Sequence, residues 1–82
     1  GDEFLILVKH ARERAAENLA GRLLSRLRQA HVSEAGAAVT CSIGIAYAEA
    51  GGKDYAALFE QADKALYQAK RGGGNRWAVY GR

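Results

Sequence analysis

The 82-residue chain predicts an α/β (α+β) domain with the order strand, helix, strand, helix, strand. Three observations predict it: an apolar run near the amino end, two segments whose apolar residues recur at three- and four-residue steps, and between them a segment that alternates with a period of two.

The apolar run Leu5-Ile6-Leu7-Val8 follows directly on Gly1-Asp2-Glu3-Phe4, so two adjacent carboxylates stand at the mouth of the first strand. A glycine allows a tight turn there, and paired acids at a strand end can share hard cations with a phosphate-bearing substrate. Phe4 reads as a core anchor. From Ala11 to about Ala30, the residues Ala16, Leu19, Ala20, Leu23, Leu24, Leu27 and Ala30 form an apolar stripe. Arg12, Arg14, Glu17, Arg22, Arg26 and Arg28 fall mostly between them, the pattern of an amphipathic helix.

Gly36 and its alanine neighbours form a loop. Val39, Cys41, Ile43, Ile45 and Tyr47 then alternate with Thr40, Ser42, Gly44 and Ala46, giving a strand with one bulky and one small face. A small face admits close approach of a ligand or, more commonly, of a packed helix. Gly51-Gly52 breaks the chain and Asp54 is placed to cap a second helix. Tyr55, Leu58, Phe59, Ala62, Leu66 and Ala69 line one face of that helix and Gly72 ends it. Lys70 and Arg71 in its last turn suit the negative end of the helix dipole. Arg76-Trp77-Ala78-Val79-Tyr80 reads as a short final strand.

A strand, helix, strand unit has parallel strands and a right-handed crossover. Its strands are either neighbours or leave a slot for one inserted strand. A chain of this length buries about 60% of its unfolded surface, so each central element matters to stability.

The composition is that of a globular chain, 49% hydrophobic and 26% charged with no proline, which excludes a disordered or low-complexity segment. No stretch approaches the ~20 apolar residues of a membrane span and no signal-peptide pattern opens the chain, so a cytoplasmic location is expected. Cys41 is the single cysteine and reads as a small buried hydrophobe. The net charge of +3 suits an anionic partner such as a nucleotide. Its arginines are scattered over helix faces, so no nucleic acid polymer is expected as partner. His10 and His31 have no partner ligands at a metal spacing, and Asp63 reads as structural in mid-helix.

Taken together and in order, Gly1-Asp2-Glu3-Phe4, Val39 to Ala46, Gln61 to Lys70 and Gly73-Gly74-Asn75-Arg76 resemble the GGDEF family of diguanylate cyclases over the whole chain. In that family the opening motif has one more glycine in front, the strand reads close to V-T-x-S-I-G-V-A, and the last helix reads close to A-D-x-A-L-Y-x-A-K-x-x-G-R-N. The resemblance implies that residues 1–82 are the C-terminal portion of a single GGDEF domain. The fold is then an incomplete nucleotidyl-cyclase palm (ferredoxin-like) lacking the first strands of the sheet. It also implies the slotted arrangement, with a strand of the family's first half between the first two strands of this chain.

The activity implied is condensation of two GTP molecules into cyclic di-GMP by a homodimer, with Mg²⁺ or Mn²⁺ and under an upstream sensor domain. The parent is cytoplasmic or membrane-tethered. By resemblance Asp2 and Glu3 are catalytic metal ligands, and Glu3 can also assist proton removal. Gly1 allows close approach of the nucleotide, Lys70 reaches its β- and γ-phosphates, and Arg22 falls where a supporting arginine of the product-inhibition site can occur. The family's second metal-binding aspartate and its guanine-reading asparagine and aspartate have no counterpart in this chain, so residues 1–82 by themselves are expected to be inactive.

One position departs from the pattern: Gly74 precedes Asn75 where the family has arginine or lysine. Arg71 or Arg76 is a substitute for the lost phosphate contact, and Asn75 is expected to fix the turn into the last strand. The departure also supports an alternative, a degenerate domain that binds GTP or cyclic di-GMP as a regulator without catalysis.

Overall fold

The computed structural model describes residues 2–8, 14–31, 41–48 and 54–81. Three strands, β1 (Asp2–Val8), β2 (Cys41–Tyr47) and β3 (Arg76–Val79), alternate with two helices, α1 (Ala15–His31) and α2 (Tyr55–Arg71). The element order is the expected one, and the architecture is that of a partial palm. Predicted positions 11–13, 32–40 and 49–53 lie outside the described residues, among them Val39, Thr40 and the Gly51-Gly52 break.

The strands form a parallel sheet in the order β1-β2-β3. Within these residues the expected slot between the first two strands is closed. Asp2 to Val8 pair residue for residue with Cys41 to Tyr47, so β1 and β2 are direct neighbours with no gap. Unpaired backbone N–H and C=O groups are costly when buried, and no other described strand lies between these two, so each satisfies the other.

The two faces of β2 explain the positions of the helices. Cys41, Ile43 and Ile45 are buried against Ala16, Ala20 and Leu24 of α1, together with Val79. Full burial of an isoleucine side chain contributes about 1.5–3 kcal/mol, so Ile43 and Ile45 anchor this side. Ser42, Gly44 and Ala46 face α2, where Ala46 packs with Leu58 and Ala62. A Cβ on Gly44 would overlap the Ala62 carbonyl and lie 2.5 Å from the Leu66 nitrogen. Helix packing, not a ligand, therefore fills the small face.

Several finer expectations are corrected. Phe4 is 43% exposed rather than a core anchor, because the cluster on the α1 side takes in Ile6 and Val8 of β1 but stops short of it. Tyr55 and Phe59 are exposed on α2, whose buried stripe is Leu58, Ala62, Ala65, Leu66 and Ala69. Leu19 is also exposed, whereas Glu17 is buried and its carboxylate accepts a hydrogen bond from the Tyr47 hydroxyl. Helix α1 starts at Ala15, since Arg14 has φ of 68°, a left-handed conformation that cannot continue a helix.

Candidate functional site

Parallel strands all begin at one edge of a sheet, and the helices that connect them run back, so helix C-termini arrive at the same edge. Here the register places Glu3, Ser42 and Arg76 in one row across β1, β2 and β3. Residues level with one another in a parallel sheet share a face, and Ser42 is on the α2 face with Gly44. The last turn of α2, carrying Lys70 and Arg71, closes over this row.

The Lys70 ammonium donates a 2.8 Å hydrogen bond to the Glu3 carboxylate across 67 positions of sequence. Both side chains are about half exposed. The bond from Lys70, reinforced by its charge, holds the Glu3 carboxyl below the ordinary value of 4.5, so Glu3 is ionised at neutral pH. An ionised oxygen donor suits a hard divalent cation and the ammonium suits a phosphate. The backbone of Asp2 pairs with Cys41 immediately before this row. The Asp2 side chain and Gly1 lie outside the described residues.

The turn after α2 is built from Gly72, Gly73, Gly74 and Asn75. Asp54 caps the start of the helix as expected, accepting from the Ala57 N–H at 3.2 Å. At the other end the N–H groups of Gly72, Gly73 and Gly74 donate to the carbonyls of Gln68, Lys70 and Ala69 at 3.0–3.1 Å. Gly73 and Gly74 have φ of 114° and 71°, conformations natural to glycine, and a Cβ at Gly74 would stand 3.2 Å from Ser42 Oγ. The glycine in place of the family's basic residue thus matches the backbone at that position.

Asn75 fixes the turn as expected. It holds φ of 53°, and its side-chain and backbone oxygens accept from Arg28 Nε at 3.0 Å and Nη2 at 3.4 Å. Arg28 therefore connects α1 to the turn, a role that a helix pattern alone assigns to the solvated face. Arg76 Nε donates to the Gly74 carbonyl at 3.1 Å, while the Arg71 guanidinium lies over the Tyr67 ring, 5.7 Å from its centre. Sequence reasoning missed the Arg28 link and set Arg71 ahead of Arg76 as a substrate-side residue; what distinguishes the two is where each guanidinium rests.

Elsewhere, Arg22 is exposed on α1, Asp63 is exposed on α2, and Cys41 is buried as expected. His10 and the side chain of His31 lie outside the described residues. Among the described residues no three of His, Cys, Asp and Glu stand together, and no helix is long and apolar enough to cross a membrane.

Fold and site define a small α/β unit whose strand starts gather a carboxylate and two cations, a combination suited to phosphate chemistry. A family model described as "Diguanylate cyclase, GGDEF domain" matches residues 1–76, and the chain belongs to that family. It is 38% identical over 81 residues to the cyclic di-GMP phosphodiesterase PdeR of Escherichia coli, covering 98% of this chain and 12% of that protein. It is 30% identical over 80 residues to a diguanylate cyclase of Vibrio cholerae, covering 98% and 25%. To the diguanylate cyclase DgcP of Pseudomonas aeruginosa it is 42% identical over 86 residues, covering 96% and 12%. The chain thus spans a quarter or less of the length of these curated relatives. No solved structure matches it.

Proposed function

We propose that the chain is the C-terminal portion of a diguanylate cyclase domain whose intact parent condenses two GTP molecules into cyclic di-GMP. Each 3′-oxygen attacks the α-phosphorus of the other nucleotide and pyrophosphate leaves, the metal-assisted and charge-dominated chemistry of phosphoryl transfer. The observation that carries this reading is the Glu3–Lys70 pair at the sheet edge, within a chain of this family. Both groups are half exposed, so the ammonium can exchange Glu3 for a phosphate oxygen at modest cost.

Asp2 is proposed as the direct metal ligand, and the half-exposed, ionised Glu3 beside it as a second acid that can bind the cation or assist proton removal. Bound Mg²⁺ or Mn²⁺ would neutralise phosphate charge and favour the alkoxide of the attacking hydroxyl. Gly1, Lys70 and Arg71 are proposed on the substrate side, and Arg22 in a product-inhibition site. The parent is proposed to act as a cytoplasmic or membrane-tethered homodimer under an upstream sensor domain. Residues 1–82 by themselves are proposed to be inactive, because none of them matches the family's guanine-reading pair.

The test is GTP conversion by the full-length protein with Mg²⁺, resolved by nucleotide chromatography. Cyclic di-GMP is expected from the wild type and not from Asp2→Ala; product formation unaffected by that substitution removes the metal assignment. A second reading, a regulator that binds nucleotide without catalysis, is favoured by Gly74 and by similarity to a protein named as a phosphodiesterase. Folded wild-type protein that binds GTP but makes no product would establish it.

A further inference from the structure

We propose that Arg76, seated on the Gly72–Gly74 turn, binds the phosphate tail of the nucleotide and does from the start of β3 what a basic residue at position 74 would do from the turn. This rests on the nucleotide reading above and assigns it a further residue. Arg76 lies in the same row as Glu3 and Ser42, at the strand edge that Lys70 covers. Its side chain folds back over the turn. Nε donates to the Gly74 carbonyl, its only hydrogen bond among the described residues, so Nη1 and Nη2 retain donors for a two-point contact with phosphate.

The seat depends on missing side chains. A Cβ at Gly72 would stand 2.8 Å from Arg76 Nη1, and one at Gly73 would stand 3.2 Å from Nη2. The glycines thus let a guanidinium lie against the backbone directly after Lys70. Arg71 is the weaker substitute, because its guanidinium is turned onto Tyr67. A guanidinium at a helix C-terminus also has a plain electrostatic use there, which the test must separate from substrate binding.

Gly72 supplies that separation. Its φ of −77° is open to any residue, so Gly72→Ala keeps the backbone while its methyl displaces the guanidinium. Calorimetric titration of the full-length protein with Mg²⁺ would compare GTP carrying a methylene between its α- and β-phosphates with GMP. Arg76→Ala is expected to weaken the triphosphate analogue about tenfold and leave GMP unchanged, as loss of a charged hydrogen-bond donor to the outer phosphates requires. Arg76→Lys should fall between, and Gly72→Ala should weaken the analogue with an unchanged melting temperature.

Wild-type affinity for the analogue in Arg76→Ala or in Gly72→Ala overturns the assignment. Equal losses for both nucleotides in Arg76→Ala also overturn it, since they report a structural role. Wild-type protein that binds neither nucleotide would overturn the nucleotide reading itself.

Discussion

The two ends of the parallel sheet carry polar ties of similar chemistry in opposite surroundings. At the end of β2, the Tyr47 hydroxyl donates to the buried Glu17 carboxylate and accepts the Ala16 N–H at 3.2 Å, fastening the first turn of α1 to the sheet. Where the strands begin, Lys70 and Glu3 form their 2.8 Å pair half in water. A buried polar group without its partner is expensive, so the first tie is part of the fold. An exposed ion pair contributes little and is readily exchanged, which is the property a phosphate site needs. The difference shows that a glutamate carboxylate can hold structure at one edge, bound by a phenol, and remain available for chemistry at the other, paired with an ammonium.

The most severe test acts on the strand between the two ends. Gly44→Ala drives a methyl into the Ala62 carbonyl and the Leu66 backbone, and backbone cannot yield as a side-chain tip can. It is expected to cost about 3 kcal/mol or more by overpacking and to detach α2, visible as loss of cooperative melting. Retained wild-type melting would mean that α2 does not lie this close to β2.

Tyr47→Phe breaks the buried end alone. It removes a donor to Glu17 and the acceptor of the Ala16 N–H, and is expected to cost about 1–3 kcal/mol in denaturant melts while leaving nucleotide affinity in place. Burial, then the bond to Glu17, raises the Tyr47 phenol above its ordinary value of 10.0. A raised folded-state pKa gives stability that is present below that ordinary value and lost as pH rises through the higher one. The wild type should therefore lose its advantage over Tyr47→Phe in strongly alkaline solution; a constant difference across that range would break the account.

The smallest stability effect belongs to the exposed end. Lys70→Met should leave the melting temperature nearly unchanged, weaken binding of the GTP analogue, and return the Glu3 carboxyl to its ordinary value in a carboxyl-carbon NMR titration of the intact protein. Because the folded-state pKa of Glu3 is depressed, whatever the pair contributes is present above 4.5 and is lost as pH falls through the lower value. A Glu3 titration that ignores the substitution would show that the pair is not formed in solution.

Element type and order were readable because they depend on local periodicity. The stripe Ala16, Ala20, Leu24, the alternation from Cys41 to Tyr47, and the Asp54 cap each have their cause within a few residues of chain. The site was readable in part. Lys70 and Glu3 could be named singly through the resemblance, but a contact across 67 positions has no local signal. Phe4 and Phe59 were misplaced for a related reason: apolar character says that a side chain prefers burial, while available neighbours decide whether it is covered.

By itself, the sequence determined the five elements, the glycine turn after α2 and the family, because these follow from side-chain spacing and short motifs. Tertiary structure alone decided that β1 pairs directly with β2, that Glu3, Ser42 and Arg76 share a row, and that Arg76 rather than Arg71 rests on the turn. The physical reason is register. Side chains alternate along a strand, so which distant residues meet is set only when backbone hydrogen bonds fix one strand against the next.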